Sequence, residues 1–391
     1  MSEPPSEGST WRHLSREWIW ISCFAPALFL AGLLFLAGCG YADSDSTSTI
    51  DLDSLPVRIA EPVLSVNAID TLLFAFLYPY STPLDDGSVL LADARRSQVY
   101  QLNRDGTGRI VADNGRGPGE VQFVNNMGIT PDGYIYLFDW TNRRITLYNQ
   151  DLTYEREFLI QAFMDKKEIR WVYPTTEPDL FLGVGTDLSF MEDLDPNLFR
   201  VIGLYHLPER SYLDWIRVPS GRVSYTIVDG EMQGFRPVPY VPQTHFSMHP
   251  GGGSFYLYWP PSEEITELTL SMDTLRVIPV SLPKEPFSSS EQDSLLDQWN
   301  SPDIATLRDM QSQFPEVKSP VDRFLVDDLG RFWLRLTRRS TLQEWLVLDE
   351  EATPERIVAL PKEAEVTHIS SKSIGVREED MMTFTLYEVI D

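Results

Sequence analysis

The feature that most restricts how this chain can fold is a repeat spaced by 46 residues. Asp86-Gly87, Asp93 and Asp105 recur as Asp132-Gly133, Asp139 and Asp151, while Val89, Leu91 and Val99 recur as Ile135, Leu137 and Ile145. Each copy reads as a turn, an apolar strand, a polar turn and a second strand. Asp-Gly supplies the tight reversal, because glycine accepts positive φ and aspartate bonds the backbone of its own turn. A period in the forties with this content is the pattern of a β-propeller blade. The first strand of each copy is apolar on both faces, which suits an inner strand sandwiched between neighbouring blades.

Weaker copies follow. Leu180 to Val184 pairs with Phe199 to Tyr205, Gly253 to Trp259 with Ile265 to Leu268, and Gly330 to Leu336 with Glu344 to Leu348. A short last block joins Ile374-Gly375-Val376 to Thr383 through Tyr387. The expected fold is therefore all-β, a six-bladed propeller over residues 57–391. The β-like segment Val57 to Val63 is expected to complete the last blade, since joining the chain ends removes an exposed sheet edge. Between the fourth and fifth blades, residues 288–313 carry Leu295, Leu296, Trp299, Ile304, Leu307 and Met310 at helical spacing and read as a helical insertion.

The N-terminus reads as an address. Arg12 and Arg16 precede an apolar run from Trp18 to Leu36, which ends in Leu36-Ala37-Gly38-Cys39. This resembles the bacterial lipoprotein signal, in which small residues precede a cysteine that is lipidated. Residues 1–38 are expected to be the signal peptide, Cys39 the acylated residue, and 39–56, rich in Ser, Thr and Asp, a flexible tether. Gly40 rather than an aspartate follows the cysteine, so the expected address is the outer membrane, facing the periplasm. An uncleaved anchor is the alternative, because the run is just long enough to span a bilayer. Cys23 and Cys39 are the chain's two cysteines, so cleavage leaves no disulfide framework. With 58 acidic against 32 basic residues and a net charge of −26, nucleic acid is not an expected partner.

Asp139-Trp140-Thr141-Asn142-Arg143-Arg144-Ile145 resembles the Asp-x-x-Asn-x-Arg-Ile core of NHL-type propeller repeats. Asn114-Gly115-Arg116-Gly117-Pro118-Gly119-Glu120 is similar to the segment linking blades in bacterial six-bladed β-propeller lipoproteins. The resemblance covers about Asp85 to Phe158 and Asp322 to Asp391. It implies fold and address and leaves the chemistry open.

No catalytic residue is predicted. Asp93 and Asp139 are placed to accept backbone N–H bonds in strand connections, with a cation or substrate role as the alternative. Arg95 and Arg96 beside Asp93, and Asn142, Arg143 and Arg144 beside Asp139, are candidates for binding at a ring opening or for salt bridges between blades. The strand-end aspartate gives way to Trp259 and Leu336 in later blades, so no ring of equivalent ligands is encoded. His245 and His249 are too far apart on a strand, at ~13 Å, to share a metal. Gly115 to Gly119 reads as an interblade turn rather than a phosphate cradle, because Pro118 lacks an N–H.

The expected function is a lipid-anchored envelope module that binds a protein or small ligand at one propeller face, with no cofactor. The alternative is a lactonase-like or amidating-lyase-like enzyme. Its channel calcium or zinc would draw on Asp93, Asp139, Asn142 and His368.

Overall fold

The repeat unit folds as a four-stranded antiparallel sheet in which strand order follows chain order. Sheet one holds Leu77–Pro83, Val89–Asp93, Gln98–Leu102 and Gly108–Ala112. Sheet two holds Val124–Ile129, Ile135–Asp139, Arg144–Tyr148 and Tyr154–Leu159. The chain is described by a computed structural model, which defines residues 48–161, 163–164, 166–228, 231–298 and 310–389.

Four further sheets follow. The third is built on Lys167–Pro174, Leu180–Asp187 and Asn197–His206. It is extended by the long strand Ser211–Val228 and by Glu231–Pro237. The fourth runs from His245–Met248 through Ser254–Trp259 and Glu264–Thr269 to Thr274–Pro279. Val321–Val326, Phe332–Leu336, Leu342–Leu348 and Pro354–Pro361 make the fifth, and Glu365–Ile369, Ser373–Arg377 and Phe384–Glu388 begin the sixth.

The apolar strands read as sandwiched between neighbouring blades are so placed, and stand second in their sheets. Val89–Asp93 and Ile135–Asp139 are buried at every position, but Leu77–Pro83 and Val124–Ile129 lie inside them. The true inner strands carry Tyr78, Tyr80, Asn125 and Asn126, polar residues that break the apolar signal.

Six hydrophobic clusters hold the ring, each shared by two consecutive sheets. Leu90, Val99 and Leu137 join sheets one and two, and Phe138, Ile145 and Phe181 join two and three. Leu182, Ile202 and Phe255 join three and four, and Tyr256, Phe332 and Leu346 join four and five. Trp333, Trp345 and Val366 join five and six, and Leu91, Tyr100 and Phe384 join six back to one. A sheet that is apolar on both faces can be stable only between two such neighbours, which is why the chain closes into a propeller.

Closure uses the N-terminal segment differently from the expectation. Pro62–Val66 pairs antiparallel with Phe384–Glu388 and completes sheet six. Val57–Ile59 instead pairs parallel with Ile357 to Ala359, as a fifth strand on sheet five. The described part of the expected tether is also anchored. Leu52 is buried in the cluster between sheets four and five, and the Ile50 N–H donates to the Ser281 carbonyl at 3.0 Å. Ile50 and Leu55 pack against the same cluster, so three apolar side chains dock an otherwise polar segment as a strap.

Within the expected insertion, a helix spans Ser289–Gln298. Its start is capped by Ser288, whose Oγ donates to the Glu291 carboxylate at 2.6 Å. Trp299, Ile304 and Leu307 lie outside the described residues, as do the signal segment 1–38 and Cys39.

Candidate functional site

The residues singled out by the repeat serve the joints between sheets. Asp139 is fully buried and accepts the N–H groups of Gln122 at 2.7 Å, Phe123 at 3.3 Å and Asn142 at 2.9 Å. The Asn142 amide adds a bond at 2.7 Å and also reaches the Gly115 carbonyl at 3.2 Å. Asp93 does the same work in sheet one, taking the N–H groups of Ala75, Phe76, Arg95 and Arg96. A carboxylate offers about four acceptor sites, and each of these aspartates accepts four N–H bonds from the protein itself.

Arg144 is 4% exposed and clamps the glycine-rich connection. It donates to the carbonyls of Arg116 at 3.2 Å, Gly117 at 3.0 Å and Glu120, and to Glu157 at 2.9 Å. The connection needs its glycines. A Cβ on Gly115 would fall 1.9 Å from the Glu120 carboxylate, and Gly119 holds φ +74. Arg96 sits 3.9 Å from Asp93, while Arg95 and Arg143 are exposed at the same ends of their sheets. The structure thus brings together Asp139, Asn142 and Arg144 in one joint and Asp93, Arg95 and Arg96 in another.

His368 is equally internal. It packs between sheets six and one, with Nδ1 2.5 Å from Ser81 Oγ. Burial pulls its pKa down to about 3, so it is neutral across the physiological range. His245 stacks on Tyr258, and His249 accepts the Gly251 N–H at 2.9 Å. Among the described residues no three His, Cys, Asp or Glu side chains gather in a way that could hold a metal ion.

An open site lies elsewhere. A cleft of about 750 Å³ sits at one end of sheet five, against the helix Ser289–Gln298. That volume suits a small molecule. Tyr240 and Phe287 form one wall, with ring centroids 4.9 Å apart. Lys318 lies at its base, 3% exposed, with Nζ 3.1 Å from Glu285 and 3.2 Å from Glu291. Burial alone would lower the Lys318 pKa, but those two carboxylates outweigh it and hold the ammonium above its usual range.

Arg335 is paired to Asp322 at 2.5 Å, and Arg338 to Glu344 and to Asp53 at 3.1 Å. The side chains of Arg339 and Lys362, both exposed at the rim, form no ion pair among the described residues; the Arg339 backbone N–H donates to the Glu285 carboxylate at 3.3 Å, Lys362 donates to the Ser340 carbonyl at 3.1 Å, and Glu363 also lines the cleft. Sequence reasoning missed this cleft. Its cations come from 318, 335–339 and 362, and only the sheet-five hairpin brings them to one place. The local Arg338-Arg339 pair was the one signal available.

The register also ties the cleft to the ring axis. Arg323 and Arg335 are directly opposed across two strands. Arg323 turns to Glu365 of sheet six at 2.8 Å, while Arg335 lines the cleft.

No protein-family model matches the chain, and no curated protein matches it. Solved structures do. A gluconolactonase from Xanthomonas campestris is 13% identical over 81% of this chain and 87% of its own, with a TM-score of 0.43. A virginiamycin B lyase from Staphylococcus aureus is 12% identical over 84% and 99%, with a TM-score of 0.40. The Swd1 β-propeller domain of Myceliophteria thermophila is 8% identical over 85% and 100%, with a TM-score of 0.40. At such identity the likeness concerns the fold alone. Among the described residues no helix is long and apolar enough to cross a membrane.

Proposed function

We propose that this chain is a lipid-anchored β-propeller of the bacterial cell envelope that binds a small anionic ligand in the cleft over sheet five. The carrying observation is the imbalance inside that cleft. On a chain of net charge −26, Lys318, Arg335, Arg338, Arg339 and Lys362 line one site against Glu291, Asp322 and Glu363, and the side chains of Arg339 and Lys362 form no ion pair among the described residues. Paired cations shape the floor, while unpaired cations at the rim draw in an anion. The aromatic wall of Tyr240 and Phe287 supplies the apolar contact that a ligand body needs. Anchoring rests on the Leu36-Ala37-Gly38-Cys39 signature, and places the propeller outside the cytoplasm.

The test is native mass spectrometry of the full-length protein released gently from its membrane. A stoichiometric small-molecule adduct is expected on the wild type and should be lost from the R339E/K362E variant. An unliganded mass in both, or an adduct indifferent to charge reversal, would overturn the reading. Recovery of a bound protein instead would point to the scaffold role.

A further inference from the structure

A second group of cations and phenols lies among sheets one, three, four and five, distinct from the cleft. Arg200, on the third strand of sheet three, donates to the Thr244 carbonyl at 2.9 Å, just ahead of the inner strand of sheet four and two residues before Phe246. Tyr173, on the inner strand of sheet three, packs its ring 5.0 Å from Phe246 of sheet four. Tyr80 of sheet one accepts the Trp171 indole N–H at 2.8 Å, which leaves its own O–H free to donate. Arg323 of sheet five closes the group and is paired with Glu365. Both phenols lie within electrostatic reach of both arginines.

The balance of donors and acceptors is one-sided. Arg200 forms no ion pair with a carboxylate among the described residues, and the groups acting on its charge are Tyr173 and Tyr80. The Tyr173 hydroxyl has no protein partner among the described residues. Burial raises both phenols above their ordinary range, so each keeps its proton. A guanidinium does not deprotonate in a protein, and a charge held away from bulk water without a counter-ion is costly. Water can satisfy the spare N–H groups, but it cannot neutralise the charge. Arg200, Tyr80 and Tyr173 all keep some accessible surface, so a small ion can reach them.

We infer that Arg200, with the hydroxyls of Tyr80 and Tyr173, forms an axial site for a carboxylate group. The charge sets the class. Arg323 and Glu365 cancel, leaving one net positive charge, which matches a monoanionic carboxylate better than a dianionic phosphate. The planar guanidinium can grip both carboxylate oxygens, while each phenol donates one further bond. This site does not depend on the cleft, and either could be correct without the other.

The test is thermal unfolding of the full-length protein in detergent at fixed pH and ionic strength, with chloride replaced by acetate or by phosphate as probes. Acetate is expected to raise the melting temperature saturably and to exceed phosphate. In the R339E/K362E background, where the cleft no longer draws anions, the acetate response should persist, and Arg200→Gln added to that background should abolish it. Tyr173→Phe removes one neutral hydrogen bond without disturbing the fold. It should weaken acetate binding roughly threefold to tenfold, which keeps the test informative if Arg200→Gln fails to fold. In the R339E/K362E background, equal melting in acetate and chloride, a stronger response to phosphate, or an undiminished response on adding Arg200→Gln would each overturn the assignment.

Discussion

Replacing Asp139 by alanine should destabilise the protein by about 3 kcal/mol or more, and the size of that loss separates a joint from a ligand site. The carboxylate is fully buried and is the acceptor for three backbone N–H groups, those of Gln122, Phe123 and Asn142. A buried donor stripped of its acceptor costs about 1–3 kcal/mol, and the Asn142 side chain loses its anchor as well. Water entering the vacated space recovers part of this, so the lower end of the range is the safer expectation. Asp139→Asn keeps one carbonyl oxygen but turns an NH₂ toward N–H donors, and should cost about half as much. Asp132 provides the control, because its bond to Thr130 Oγ1 at 2.6 Å lies at an exposed turn. Asp132→Ala should cost less than about 1 kcal/mol. Urea denaturation followed by circular dichroism measures all three, with unchanged m-values expected. An Asp139→Ala loss within about 1 kcal/mol of zero would refute the structural role.

Three further outcomes follow from the closure, the buried histidines and the anchor. Leu52→Ala should cost about 2–3 kcal/mol, the range for truncating a buried leucine, and deletion of residues 62–66 should cost more by baring the edge of Phe384–Glu388; equal melting to wild type in both would refute the closure described here. His245 and His368 are each depressed to about 3 by burial, with Arg200 adding to the effect at His245. Their unfolded forms titrate near 6.5, so the unfolded chain takes up protons first, and stability falls as pH drops from about 6.5 toward 3. Each histidine contributes a slope of about 1.4 kcal/mol per pH unit in that window. His368→Gln should therefore flatten the stability difference between pH 7 and pH 5, and an unchanged slope would count against a neutral buried imidazole. Cys39→Ser should abolish palmitate labelling and leave the precursor uncleaved, whereas normal processing of that variant would remove the lipoprotein reading.

The parts of the fold legible in the sequence were those where one residue type has a single physical use. Asp-Gly at 86–87 and 132–133 marked turns, with Gly87 at φ +82 and Gly133 at φ +86. The apolar runs at 89–93 and 135–139 marked strands buried on both faces. The inner strands escaped because polar side chains join them to one another, Tyr78 donating to Asn125 and Asn125 and Asn126 donating to the carbonyls of Arg170 and Val172, so neither alternation nor an apolar run survives there. The extended hairpin of Ser211–Val228 and Glu231–Pro237 escaped because a strand that overhangs its sheet has no fixed burial pattern. Leu52 shows how weakly a docked strap is signalled, since it stands between Asp51 and Asp53, and Ile50 and Leu55 are also separated by polar residues. The cleft was illegible for a different reason. Lys318, Arg339 and Lys362 are far apart in the chain, and whether a cation is paired depends on contacts that only the folded sheets create.

The most direct measurement of the central claim is hydrogen–deuterium exchange on the protein as released from its membrane, compared with the R339E/K362E variant under the same conditions. If the cleft is the working surface, the wild type should show added protection over 285–295 and 335–343, with 93–96 and 139–144 unchanged between the two. Protection that differs at 93–96 or 139–144 while the cleft segments exchange identically would contradict the account, and would return the function to the ends of sheets one and two.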